Sequence, residues 1–289
     1  MVEPMPIVTA PAATIAAGAG SAGVSPGAAG SGGVGPGAAG SSGVGPGAAG
    51  SGGASPTTGD EIPYRQWRTA VPGATLWTRR VGPAGSTGRV LPDGCMDLIA
   101  VDGELIVAGP DTHAHPADSP PGMRLAAVRF DPGVGPAVLG VPARELRDSR
   151  VPLSALWPAR RVRALADRLA AAPDPATELA RALAGPLFTA NDPRLRRLVA
   201  ELARGTPVGT VAADSYLSER QLHRRCRDVF GYGPKTLARI LRMNRALDAA
   251  RGGRSLVVVA ADFGYADQAH LSRDVRALTG VPPTVLLAD

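Results

Sequence analysis

Cysteine is almost absent: of 289 residues only Cys95 and Cys226 carry a thiol. They form no CxxC pair and no zinc spacing, so both read as small buried hydrophobes in a reducing compartment. Lysine is scarcer still, Lys235 standing alone against thirty arginines. No apolar run approaches the roughly 20 residues needed to span a bilayer. The N-terminus has Glu3 but no nearby cation, and prolines break its apolar stretch. It makes a poor signal peptide, and the expected location is the cytoplasm, away from membranes. Neither a phosphate-binding glycine loop nor a nucleophile elbow occurs, so no catalytic residue, cofactor or enzymatic activity is expected.

What is present is unevenly placed. Residues 192–289 hold 16 Arg and Lys against 10 Asp and Glu, which accounts for the whole net charge of +6. A basic excess confined to one segment points to a polyanionic partner, most often a phosphate backbone. At the other end, VSPGAAGSGG and close variants repeat with a period of ten over 24–51. Glycine does not fall at every third position, which excludes collagen, and large apolar side chains are missing. Residues 1–59 therefore read as a disordered tail.

Between these ends the pattern changes twice. Over 60–150, short apolar stretches at 75–81, 96–101, 104–108 and 125–130 are separated by Gly, Pro and Asp. That spacing predicts a small antiparallel β domain, with a hairpin turning at Asp102-Gly103. Over 151–191, Leu153, Leu156, Val162, Leu165 and Leu169 recur at helical spacing, as connector helices would.

The last segment, 192–289, is helical throughout. Asp192 can cap a helix begun by Pro193 and ended by Gly205. A short helix over 208–213, a break and a second helix over 219–229 follow, and a long helix over 234–251 leads to the same arrangement at 256–262 and 267–278. Two short helices joined by a tight turn bury little core alone. Their common use is to seat the second helix in a major groove. In the first unit Leu222, Cys226 and Val229 share an inward face, leaving Arg220, Gln221, His223, Arg224 and Arg227 outward. In the second, Leu271, Val275 and Leu278 face inward and Gln268, His270, Arg273 and Arg276 outward.

These residues resemble the C-terminal DNA-binding domain of AraC-type transcription regulators. The resemblance covers about 192–287 and is strongest in AADFGYADQAHLSR and in the Gly-x-x-Pro element after each unit. It implies tandem helix-turn-helix units entering successive major grooves, with Arg220, His223 and Arg224, then Gln268, Ala269 and Arg273, facing bases. There are departures. Tyr216 stands where a turn glycine is usual, Cys226 and Val275 replace core aromatics, and Ala269 can offer only a methyl contact. RVLPDGCMDLI (89–99), AGPDTHAHP (108–116) and VRFDPGVGPAVLGVPARELRD (128–148) resemble an N-terminal domain that accompanies some of these regulators. That resemblance implies a sensory or dimerising role in a barrel of cupin type.

The β domain offers its own candidates. Asp93, Cys95 and Asp97 alternate, so on a strand they share a face that could line a small-molecule pocket. Asp111, His113 and His115 offer a second polar group. The cupin metal pattern expects a glutamate next, and 118–120 read Asp-Ser-Pro, so ligand binding is expected there and a metal is not. The fold expected is α+β: a small β domain, connector helices and an all-α tandem helix-turn-helix head. The function expected is that of a transcription regulator controlled by a ligand or partner at its N-terminal domain; the resemblance favours an activator over a repressor, a choice the residues themselves leave open. Expected partners are double-stranded DNA, a small-molecule effector and RNA polymerase, with the chain a monomer or homodimer. Two other classes fit the composition: a protein-interaction scaffold, and an enzymatic β domain with a DNA-binding accessory.

Overall fold

The computed structural model describes residues 64–70 and 72–288; the repeat tail expected over 1–59 lies outside them. The β domain comprises β1 (Arg65–Arg68), β2 (Ala74–Arg80), β3 (Arg89–Val90), β4 (Met96–Val101), β5 (Glu104–Ala108), β6 (His115–Pro116), β7 (Arg124–Phe130) and β8 (Arg150–Pro152). Six strands make one antiparallel sheet in the order β1-β2-β7-β4-β5-β8, and β3 pairs with β6. The β4–β5 hairpin turns at Asp102-Gly103, whose φ values of 48° and 85° are the positive pair that a tight two-residue turn requires.

Period-two alternation gives this sheet two apolar faces. Leu76, Val128, Leu98 and Val107 lie in one register row, and Trp77, Ala127, Ile99 and Ile106 in the next, pointing the opposite way. The first face is covered by α1 (Gly135–Leu139), α2 (Ala159–Ala171) and α3 (Pro175–Ala190). Asp174 caps α3 by accepting from the N–H groups of Ala176 and Thr177, and Leu179, Leu183 and Leu187 bury its inner stripe completely. These helices, read from sequence as connectors, are thus a layer of the β domain's own core. Among the described residues the strands do not close into a cupin-type barrel. The strand order is linear with β1 and β8 as edges, and the helical layer buries the face that closure would otherwise have to protect.

The helical third comprises α4 (Pro193–Arg204), α5 (Val208–Asp214), α6 (Glu219–Phe230), α7 (Pro234–Arg251), α8 (Leu256–Asp262), α9 (Gln268–Thr279) and α10 (Pro283–Leu286). Its punctuation follows the residues. Asp192 caps α4, which stops at a left-handed Gly205; Ser218 and Gln221 make a reciprocal capping box on α6; Asp267 caps α9. Leu202, Leu222, Leu237, Ile240, Leu271 and Val275 close a single core around α7.

This core is continuous with the β domain. Leu91 is one of its buried members, and Ala114 packs against it. Asn244 on α7 donates to the Pro92 carbonyl at 2.8 Å, and the Ala114 N–H donates to the Leu278 carbonyl at 2.8 Å. No described helix is long and apolar enough to cross a membrane.

Candidate nucleic-acid interface and buried polar cavity

Each helix-turn-helix unit is built from a short helix that braces a second, capped one. In the first, α5 buries Val211 and Ala212, and α6 buries Leu222, Cys226 and Phe230. Val229, expected in that core, is only half-buried. Inward positions on this helix recur at a spacing of four, Leu222, Cys226 and Phe230, so Phe230 fills the core while Val229 sits at its margin. The intervening turn places Tyr216 at φ 55° with its side chain 96 % exposed, so a strained left-handed residue stands where glycine would be free. The second unit makes its turn with Gly264 at φ 71°, and Leu271, Val275 and Leu278 are buried as expected.

Of the outward candidates, Arg220, Gln221, His223, Arg224 and Arg227 on α6 and Gln268, Ala269, Arg273 and Arg276 on α9 are all exposed. His270 is half-buried: its Nδ1 accepts from the Ala266 N–H at 3.2 Å and its ring meets Tyr265 edge-on. Gln221 uses Oε1 to accept from the Ser218 N–H at 2.8 Å, which leaves its NH2 outward. Among the described residues, Arg220, Arg224, Arg227, Arg273 and Arg276 form no ion pair. By contrast Arg204, Arg225, Arg239, Arg242, Arg251 and Arg254 are each matched to a carboxylate. Arg194, Arg197 and Lys235 are unpaired elsewhere on the domain. The outward faces of both second helices therefore carry positive charge that the protein does not neutralise, as a polyanion site requires.

Two supporting features were not anticipated. Asp274 lies buried in the middle of α9 and binds Arg239 Nε at 2.5 Å, Arg242 Nη2 at 3.3 Å and the Tyr265 hydroxyl at 3.2 Å. It locks α9, the second helix of that unit, to α7. Arg144, from the turn after α1, flanks Arg220, Arg224 and Arg227 and pairs with Asp228. Burial pushes the Cys226 thiol up to about 12, despite the charge of Arg225, which keeps it a core side chain and no nucleophile.

In the β domain, one register row runs Arg150, Ala108, Asp97, Arg129 across β8, β5, β4 and β7. Directly opposed side chains share a face, so the sheet itself brings these charges together. Arg129 bonds Asp97 at 3.2 Å and lies 3.7 Å from Asp93; Asp97 also accepts from Trp77 Nε1 at 2.6 Å. Arg150 grips Asp111 through two hydrogen bonds of 2.6 Å. With Tyr64, Arg79 and Cys95 these groups line a cavity of ≈30 Å³, room for about two water molecules.

Of the expected ligand residues, Asp93, Cys95, Asp97 and Asp111 meet in this cavity, whereas His113 and His115 do not line it and stand beside Asp148. Burial raises the carboxyl of Asp97, partly offset by the Arg129 charge. Burial would lower the Arg129 guanidinium, but Asp97 and Asp93 more than reverse that, so it stays charged. The Cys95 thiol is held well above its ordinary value by burial first and the Asp93 charge second. Thiolate chemistry at Cys95 is therefore disfavoured. Sequence reasoning missed Arg129 and Arg150 because their partners, Asp97 on β4 and Asp111 in the loop after β5, are distant in sequence. The alternation of Leu125, Ala127 and Arg129 along β7 was the one available signal.

Residues 211–289 match a family model described as a helix-turn-helix domain, and residues 74–152 match one described as a domain of unknown function (DUF6597). No curated protein matches the chain significantly. Among solved structures the chain is similar to ToxT from Vibrio cholerae, at 10 % identity over 75 % of this chain and 98 % of that one, with a TM-score of 0.42. A structure of ToxT from Vibrio cholerae O395 gives 9 % identity, 75 % and 97 % coverage and a TM-score of 0.40.

Proposed function

We propose that this chain is an AraC-type DNA-binding regulator that reads a specific duplex site with both units under control of its N-terminal domain, a reading supported by the helix-turn-helix match over residues 211–289. The observation that carries the reading is the pair of capped second helices whose outward arginines Arg220, Arg224, Arg227, Arg273 and Arg276 find no carboxylate within the protein. Arg224 and Arg273 are the bidentate donors to guanine or phosphate, with Arg220, Arg227 and Arg276 on the backbone. Gln221, His223 and Gln268 add side-chain donors, and Ala269 a methyl contact. His270 acts chiefly by holding the turn that presents α9. The two contact segments lie about one helical turn, roughly 10 bp, apart on the DNA.

Control by a small polar effector is supported by how the cavity is walled. The segment 92–95 contributes Asp93 and Cys95 to the lining. The same segment is tied to α7 by the Asn244–Pro92 hydrogen bond, and Gly94, at φ 84°, leaves only 3.1 Å between a would-be Cβ and Leu237. A cavity sized for about two waters must open to admit an effector. Opening it moves the segment that bears on the helix joining both units. At a promoter, RNA polymerase is the expected partner, with activation as the outcome.

Selection of bound genomic fragments with the full chain, followed by titration of the best site at two salt concentrations, tests the reading. A shared motif with two half-sites roughly 10 bp apart is the expected result. Fragments without a common motif, with affinity collapsing as salt rises, would mean counterion release alone.

A further inference from the structure

We propose that His113, His115 and Asp148 bind a divalent transition-metal ion of the zinc, nickel and cobalt class. Their site lies on the loop that ties the β domain to the second helix-turn-helix unit. One ring nitrogen from each histidine and one carboxylate oxygen of Asp148 lie within 4.8 Å of one another. Imidazole with carboxylate is the donor set such ions prefer, and two histidines with one carboxylate leave coordination positions open. The sequence shows only the His-x-His corner; the carboxylate arrives through the tertiary fold, from the far side of β7 and α1.

The carboxylate is already fixed in place. Asp148 Oδ1 accepts from the Thr112 N–H at 2.7 Å and from its hydroxyl at 2.9 Å, while Oδ2 lies 3.7 Å from Arg147 Nε. Asp148 sits at φ 55°, a conformation that costs a non-glycine residue free energy and persists here under those bonds. His115 supplies an independent sign of a missing partner: its Nε2 is buried without a hydrogen bond. Asp111 Oδ1 is 3.0 Å away but misaligned for one, and that carboxylate is committed to Arg150. A buried nitrogen without an aligned hydrogen bond is costly, and an ion bound through it would satisfy it.

His113 completes the site from its exposed side. Its side chain is 58 % exposed, with Nδ1 3.1 Å from the Thr112 hydroxyl and 3.8 Å from Asp148 Oδ1. Tetrahedral zinc bonds place ligand atoms about 3.3 Å apart, so closing the trio needs a movement of about 1.5 Å. A rotation of this exposed ring can supply most of it. Between the two histidines, Ala114 donates its N–H to the Leu278 carbonyl at the end of α9. An ion joining both neighbours to Asp148 braces that link.

The test is titration of the full, tag-free chain with Zn2+ and with Co2+, read by calorimetry and by the visible absorption of bound cobalt. One ion per chain is expected, with affinity falling by at least roughly 10–100-fold in H113A and in H115A. Zn2+ should raise the melting temperature of the parent chain and of neither variant. Matching melting curves without metal show that the variants fold. No saturable binding by the parent chain, or binding that both variants retain unchanged, overturns the site. Neither readout involves DNA, so the regulator reading stands or falls separately.

Discussion

Arginine does opposite work in the two halves of this molecule. In the β domain Arg129 and Arg150 are largely buried and held by Asp97, Asp93 and Asp111. On α6 and α9, Arg224 and Arg273 are exposed and paired with nothing. A buried charge must be matched inside the protein because water no longer screens it, so its partners shape the fold. An exposed, unmatched charge leaves its binding capacity for a partner. The same side chain thus marks an organising cluster in one region and a contact surface in the other.

Several substitutions break or sharpen that contrast. The largest effect is expected from Arg129→Met, which leaves the half-buried Asp97 and Asp93 without a counter-charge and costs up to about 3–5 kcal/mol in denaturant unfolding. A loss under about 1 kcal/mol would mean that the cluster is wetter than its burial indicates. Next is Arg273→Ala, expected to weaken the specific site by about 1–3 kcal/mol in equilibrium titration with folding unchanged. An equal loss on scrambled DNA would turn Arg273 from a base reader into a phosphate contact.

Tyr216→Gly should stabilise the chain by up to about 1 kcal/mol, because relief of left-handed strain exceeds the entropy cost of glycine. A thermal melt that falls instead would assign the exposed ring a contact in the folded protein. The smallest effect is in pH dependence. Burial raises Asp97 above its ordinary 3.8, so the folded state holds that proton more tightly than the unfolded chain does. Its contribution is fully present below 3.8 and is lost as pH rises through the folded value. The stability of the parent chain relative to Asp97→Asn should decline over that window, and a rising difference would contradict it.

How much of this was legible in the residues differs between the halves for a physical reason. The caps Asp192 and Ser218, the stop at Gly205 and the inward trio Leu271, Val275 and Leu278 all act within one helical segment, and each could be read from its neighbours. Spacings of three and four both fit one helical face, so the pattern alone does not separate Val229 from Phe230. The larger apolar ring was the overlooked signal. In the β domain Asp93, Cys95, Asp97 and Asp111 were found as residue types, but not what they touch. The register that sets Asp97 against Arg129 joins positions 32 residues apart.

By itself the sequence determined the helices, their caps and turns, the cationic outer faces of α6 and α9, and the hairpin at Asp102-Gly103. All of these rest on local backbone preference and on the periodicity of apolar side chains. Only the tertiary structure decided that the sheet stays open under a helical layer and that Arg129 and Arg150 close a charged cavity. It alone brought Asp148 to His113 and His115, and fastened segment 92–95 to α7. Those arrangements depend on which distant strands and loops pair, a choice made by burial of the whole core at once and carried by no single stretch of chain.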